Sequence, residues 1–322
     1  MEISEIYAPV QADLVKVEDT LKSVCRVDFP HLAGLLDYSL GSAGKRIRPI
    51  LTFLSGKFYD YDIEHILPMA AAVEILHTAT LVHDDAVDKS STRRGRATVN
   101  NLWGEEQAIL LGDYLFAEAG ALTASTGSLR TIKLFAETLK IISAGEISQA
   151  LNAYNLKLTR EQYFERMAKK TAALFVLSTE AGAVLSHAPE ESIQILNEYG
   201  YNLGLAFQVV DDILDFIGTQ EEMGKPIGAD LMQGTFTLPA MLLRQYYPED
   251  DSVKNLFRGK DRQDGVKQAI ELVRNSPVII EECYQTASDF CSMACRNLKQ
   301  LPDNPSRKSL FQLADYVVRR KT

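Results

Sequence analysis

Apolar residues recur at three- and four-residue spacing along most of this chain. The pattern runs through 51–63, 65–88, 106–125, 128–154, 159–185 and 190–216. That period belongs to an amphipathic or buried helix. Thr159 followed by Gln162 predicts a capping box, and Pro189 ahead of Glu190 and Glu191 predicts another helix start. No alternating run of β-branched residues is bounded by hairpin turns. Gly and Pro fall mainly between the helical stretches, and no fixed-period repeat stands out. The expectation is an all-α fold, a single domain over 1–322 with many helices. The polar stretch 248–264 is expected to be a mobile insertion.

Composition narrows the class. A chain of 322 residues can bury a sizeable core. Apolar residues at 46% and charged residues at 24% are ordinary globular values. A net charge of -9 argues against a general nucleic-acid binder, which needs a basic footprint. Four cysteines are no disulfide framework at this length. Cys291 and Cys295 sit one helical turn apart, but no histidine or second cysteine pair supports a metal site there. The first ten residues, MEISEIYAPV, lack a hydrophobic signal region, and no apolar run approaches the roughly 20 residues of a membrane helix. A soluble, reducing, cytoplasmic setting is expected.

The chemistry begins at LVHDDAVDKSSTRRGR, residues 81–96. Residues four apart share a helix face, so Asp84 and Asp88 stand together and Asp85 lies about 100° round. Like charges at that spacing cost a helix roughly 0.2–0.5 kcal/mol per pair. The segment before them is largely apolar, and acids ending a buried helix need a counter-charge. AFQVVDDILDF repeats the spacing with Asp211, Asp212 and Asp215. One such cluster is common on a solvated face. Two, each ending a buried run, would form an oxygen-rich cage for hard divalent cations if opposed across a cavity. Mg²⁺ favours carboxylates combined with water and substrate phosphates, which implies a phosphate-bearing substrate.

The cations agree. Lys45, Arg46 and Arg48 precede an apolar helix, Arg93 and Arg94 follow the first acids, Lys169 and Lys170 precede another apolar run, and Lys225 follows the second acids. Arginine binds phosphate oxygens through a fork, and lysine acts as a point charge. Singly each reads as a surface charge. Together they suggest two anion sites, one bridged by metal and one bound directly by basic side chains.

These segments resemble the trans-isoprenyl diphosphate synthase (polyprenyl synthetase) family. DDAVDKSSTRRG is similar to its first aspartate-rich motif and FQVVDDILD to its second. GKRIRP, EILHTATLVHDD, KKTAALF and GKPIGADLMQGTFTLP match in the family's order, over about residues 40 to 240. The resemblance implies an all-α isoprenoid synthase bundle around a central cavity, over 1–322. It implies that Asp84, Asp85, Asp88 and Asp211 hold an allylic diphosphate through Mg²⁺, with Asp212 and Asp215 in support. Arg93, Lys170 and Lys225 would contact that diphosphate. Isopentenyl diphosphate would bind without metal through Lys45, Arg48, His77 and Arg94. Thr171 and Gln208 would turn oxygens toward an allylic cation. A lone histidine on an apolar helix is ordinarily a satisfied core residue, and only the motif assigns His77 a role. His83 receives none.

The chain departs from the family at Gly234-Thr235-Phe236-Thr237, where a lysine usually follows the glycine; one diphosphate contact is therefore in doubt. Arg319, Arg320 and Lys321 resemble a basic tail that approaches isopentenyl diphosphate in some relatives, though cations there also answer the helix dipole. Short-chain members place aromatic rings about one turn before the first acids. Here Ala79 and Thr80 are small, as are Ala70, Ala71 and Ala72 further along and Ala117, Gly120 and Ala121 across the cavity. The expectation is the long-chain branch, hexaprenyl to decaprenyl, with Ala79→Tyr shortening the product. Alternatives are a geranylgeranyl or farnesyl synthase, a non-catalytic subunit of a heteromeric synthase, and a terpene cyclase. A homodimer, and loose membrane contact through a lipophilic product, complete the expectations.

Overall fold

The computed structural model describes residues 3–41, 44–219, 227–259 and 262–320. Helix dominates them. The longest helices are Ile63–Val87, Glu105–Ser125, Leu129–Leu151, Glu190–Ile217 and Pro277–Cys295. Capping follows the sequence signals. Thr159 and Gln162 form the reciprocal capping box that opens Arg160–Met167. Pro189 precedes Glu190–Ile217, whose first turn carries Glu190 and Glu191 where the helix dipole favours acids.

Two hydrophobic clusters organise the bundle. The larger gathers Ile50, Phe53, Leu54, Met69, Ile75, Leu115, Phe175 and Tyr199. The smaller gathers Tyr163, Met167, Val209, Ile213, Leu238, Leu243, Val253, Leu256 and Cys283. Glu190–Ile217 contributes to both. Its spacing Gly200–Gly204 lets Ala173–Leu185 approach closely. A Cβ on Gly204 would stand 2.6 Å from Ala172 Cα, and one on Gly200 would stand 2.9 Å from the Phe175 carbonyl. That close crossing brings Thr171 and Gln208 into contact one turn further on. The last helix, Pro305–Arg319, is tied to the same element by Tyr199, which donates to the Leu310 carbonyl at 2.8 Å.

Three expectations change. Residues 248–264 are not simply a mobile insertion: they contain the helix Ser252–Phe257, and Val253 and Leu256, three positions apart, are fully buried. Among the described residues strand is present as one antiparallel pair, Thr92–Arg93 with Arg96–Ala97. Ile63–Val87, 25 residues long, is apolar enough to cross a membrane by length and composition, although no such run was expected. Its most apolar window is 61% buried inside the fold, as a core helix should be.

Candidate active site

The first acid cluster ends Ile63–Val87. The Asp88 amide donates to the Asp84 carbonyl at 2.8 Å, and Lys89 then turns the chain with φ +52. The strand pair is joined by Arg94 (φ +52) and Gly95 (φ +73). Two successive left-handed residues make the primed turn that suits a two-residue hairpin. Glycine adopts it freely; Arg94 does so at a cost of order 1–3 kcal/mol. The hairpin folds RRG back over the acids. Arg93 Nε donates to both carboxylate oxygens of Asp85 at 2.9 Å. Burial nevertheless pushes the Asp85 carboxyl up, with Arg93 opposing the shift. Asp88 is raised as well, by burial first, with Lys170 opposing.

The second cluster faces it from Glu190–Ile217. Asp212 accepts from Tyr163 Oη at 2.7 Å and from Gln208 Nε2 at 2.8 Å. Burial, then the neighbouring Asp230, pushes its carboxyl up to about 7, against the pull of those two donors. Because Gln208 donates to Asp212, its carbonyl oxygen turns to accept from the Thr171 hydroxyl at 2.5 Å. Asp211 is paired with Arg320. Asp215, expected in the metal set, is off the cavity wall. It is buried at 1% exposure and accepts from the Asp230 amide at 3.3 Å. It lies one turn beyond Asp211, where the returning 228–230 segment covers it, and it fastens that segment.

Lys170 and Thr171 leave a single π-helical turn, Ala168–Ala172, between Arg160–Met167 and Ala173–Leu185. Such turns re-aim side chains and recur at functional sites. Lys170 Nζ lies 2.8 Å from Glu146 and 3.8 Å from Asp84. Burial opposes its charge, but Asp84 and Glu146 outweigh burial and hold Lys170 above its ordinary value. Gly145 permits this approach, since a Cβ there would stand 2.9 Å from Lys169 Cβ.

The basic residues expected to bind an anion directly line the same cavity. Arg48 is drawn over the Phe175 ring, 5.1 Å from its centroid, and burial lowers its guanidinium to about 10. Arg94 is lowered by burial too, with Glu74 opposing. His77 is held well below the ordinary histidine value by burial and then by Arg48, Arg94, Arg93 and Arg46, so it is neutral at physiological pH. Lys45 stands 5.7 Å over the Tyr316 ring at the rim.

One cavity of about 1000 Å³ joins these groups. Its walls include Lys45, Arg48, His77, Thr80, Asp84, Asp85, Asp88, Arg93, Arg94, Lys170, Thr171, Gln208, Asp211 and Asp212. Lys225 lies outside the described residues. Thr235 is on the wall, so a hydroxyl stands where the family usually places lysine. Of the two chain-length positions, Thr80 lines the cavity. Ala79 does not: it is fully buried in the larger cluster, because at 100° per residue it falls off the face carrying His77, Thr80, Leu81 and Asp84. Sequence reading missed Glu74, Glu146, Arg166 and Asp230, which also line the cavity. Their only signal was a charge within or beside an apolar helical face.

Opposed carboxylates, flanking cations and an apolar wall of Leu81, Ile142, Leu174 and Phe207 define a site for an anionic head on an apolar tail. Residues 29–273 match the polyprenyl synthetase family model. The heptaprenyl diphosphate synthase component 2 of Bacillus subtilis is 34% identical over 100% of this chain and 92% of its own length. A polyprenyl synthase from Caulobacter crescentus, solved with calcium and isoprenyl diphosphate, superposes with a TM-score of 0.95 at 33% identity, covering 100% of this chain and 98% of that one. A decaprenyl diphosphate synthase from Rhodobacter capsulatus superposes with 0.91 at 34% identity, each chain fully covered. The fold and site are those of an all-α prenyltransferase. The chain belongs to the polyprenyl synthetase family, and its relatives range it with the long-chain branch of the trans-isoprenyl diphosphate synthases.

Proposed function

We propose that this chain is a long-chain trans-polyprenyl diphosphate synthase that condenses isopentenyl diphosphate with an allylic diphosphate. The observation that carries the reading is one cavity walled both by the two carboxylate clusters and by Arg48, His77 and Arg94. Two diphosphates repel, and a site for both needs two separate means of holding them.

The donor set suits a hard divalent cation of the magnesium type. Among the described residues no three acidic, imidazole or thiol side chains converge as a protein-only metal cage. Magnesium is instead commonly held by one or two carboxylates together with substrate phosphates and water. Asp84, Asp88 and Asp211 would hold it, with Asp85 and Asp212 behind them. When bound it supplies charge stabilisation to the departing diphosphate. The residues do the rest. Lys170 and Arg93 bind the allylic diphosphate and stabilise the negative charge that grows as its C–O bond breaks. Gln208 and Thr171 present oxygens to the allylic cation left behind. Lys45, Arg48, His77 and Arg94 hold isopentenyl diphosphate so that its terminal double bond forms the new C–C bond. A proton then leaves its C2 for a diphosphate oxygen, which restores neutrality at carbon.

The growing tail would follow Thr80, Leu81, Ile142, Leu174 and Phe207. Cytoplasmic placement and a homodimer belong to the same reading. The exposed Leu110, Leu129, Ile147 and Leu151 on two adjacent helices favour a partner surface. The intact acid clusters disfavour a non-catalytic subunit. The test is kinetic. Asp84→Asn and Asp211→Asn should lower kcat on the order of 10²-fold or more. Arg48→Ala should instead raise the KM for isopentenyl diphosphate and spare that of the primer. Unchanged kinetics in all three would overturn the assignment.

A further inference from the structure

Four cations, Arg46, Arg48, Arg93 and Arg94, crowd the cavity around His77. Arg93 is met by Asp85, and a second carboxylate, Glu74, stands beside Arg46. Glu74 is one helical turn before His77, is 5% exposed, and accepts from Arg46 NH1 at 2.8 Å. Convergence is tight. A point one bond from Gly44 Cα lies 3.4 Å from Arg94 NH1, 3.6 Å from Arg46 NH1 and 3.8 Å from Glu74 Oε1. Arg46 is itself held by protein acceptors. Its Nε donates to Glu18 Oε1 at 2.6 Å, and its NH2 donates to the Leu40 carbonyl at 3.3 Å. Glu18 belongs to the N-terminal helix Gln11–Val24. Arg46 therefore bridges that helix to Ile63–Val87 through two carboxylates.

We infer that Glu74 is the positioning residue of the metal-free diphosphate site: through Arg46 and the adjoining Arg94 it fixes the guanidinium fork that receives isopentenyl diphosphate. Like charges gathered in a desolvated pocket repel unless a counter-charge stands among them. Glu74 supplies it, bound to Arg46 and acting on both Arg48 and Arg94. Its charge also favours the ionised state of both guanidiniums against burial. The inference rests on the isopentenyl diphosphate reading given above.

The sign of the effect separates positioning from charge alone. Removing an anion from an anion site should, by charge alone, tighten binding. Positioning predicts the reverse. Glu74→Gln should raise the KM for isopentenyl diphosphate about tenfold, the ratio expected for one charge-assisted hydrogen bond. The KM for the allylic primer should stay within about twofold, as should kcat at saturation. Glu18→Gln provides a second variant that folds readily, since Glu18 is 42% exposed. It should raise the same KM by a smaller factor, because it frees only one edge of Arg46. A fall in that KM, or no change in either folded variant, overturns the inference. Arg48→Ala run alongside distinguishes the two failures: if it too leaves that KM unchanged, the substrate reading itself is wrong.

Discussion

Arg320, at the end of the last helix, donates through NH2 to Oδ1 of Asp211, the first acid of the second cluster. Its guanidinium also lies 3.8 Å from the Phe207 ring centroid and donates to the Phe207 carbonyl at 2.8 Å. Residues 109 apart in sequence thus close one wall of the cavity. A carboxylate proposed to face metal is neutralised by the chain's own C-terminal segment.

Metal and Arg320 should therefore compete. Arg320→Gln should raise the affinity of the substrate-free protein for Mn²⁺ about tenfold, the factor that follows from losing one charge-assisted bond. Calorimetry measures this directly, with Asp211→Asn as the variant that lacks the contested ligand. Equal Mn²⁺ affinity in wild type and Arg320→Gln would mean that the pair does not oppose metal.

Gln208 links Thr171 to Asp212 on the cavity wall, and the proposed function gives its carbonyl the task of stabilising the allylic cation. Gln208→Leu keeps the volume and deletes both bonds. Its kcat should fall on the order of 10²-fold, as for loss of one preorganised dipole, while the KM for isopentenyl diphosphate holds within about twofold. A loss confined to KM would place Gln208 in binding instead of cation stabilisation.

Thr80 is on the cavity wall, and Ala79 is packed in the core. Thr80→Tyr should shorten the product ladder by at least one isoprene unit, read by chromatography of the dephosphorylated products. Ala79→Tyr should first cost stability, about 1–3 kcal/mol from overpacking, visible as a lower Tm. Shortening by Ala79→Tyr with an unchanged Tm would show that the tail runs along the other face of the helix.

His77 sets a pH dependence. Burial and four arginines hold its folded pKa well below the ordinary value. The unfolded chain takes up a proton there near pH 6.5, and the folded chain does not. The contribution to stability is unaffected above about pH 6.5 and is lost as pH falls below it, at up to about 1.4 kcal/mol per pH unit. His77→Gln removes that slope. Urea unfolding from about pH 7.5 to 5 should show the two proteins converging toward acid; a constant difference would contradict neutral His77.

Much of this was legible beforehand because local rules sufficed. The 3.6-residue period located the helices, and Thr159 with Gln162 marked one start to the residue. The two acid clusters were readable because the same spacing ended two apolar runs. Tertiary placement was less legible. Asp211 and Asp215 share a helix face, yet only the fold shows that the 228–230 segment covers Asp215. Ala79 and Thr80 are neighbours, and which one faces the cavity depends on helix rotation set by packing. Glu74 and Glu146 looked like ordinary helical charges. Their meaning lies in cations brought from other elements, Arg46 from before the helix and Lys170 from a π turn.

Long-chain condensation by this chain can be read directly from its products. The most direct measurement supplies purified protein with Mg²⁺, labelled isopentenyl diphosphate and, separately, dimethylallyl, geranyl, farnesyl and geranylgeranyl diphosphates. The dephosphorylated products are then separated by length. A long-chain synthase should give a ladder extending beyond geranylgeraniol that disappears with chelator. Products ending at farnesol or geranylgeraniol, or no incorporation from any primer by folded protein, would contradict long-chain synthesis.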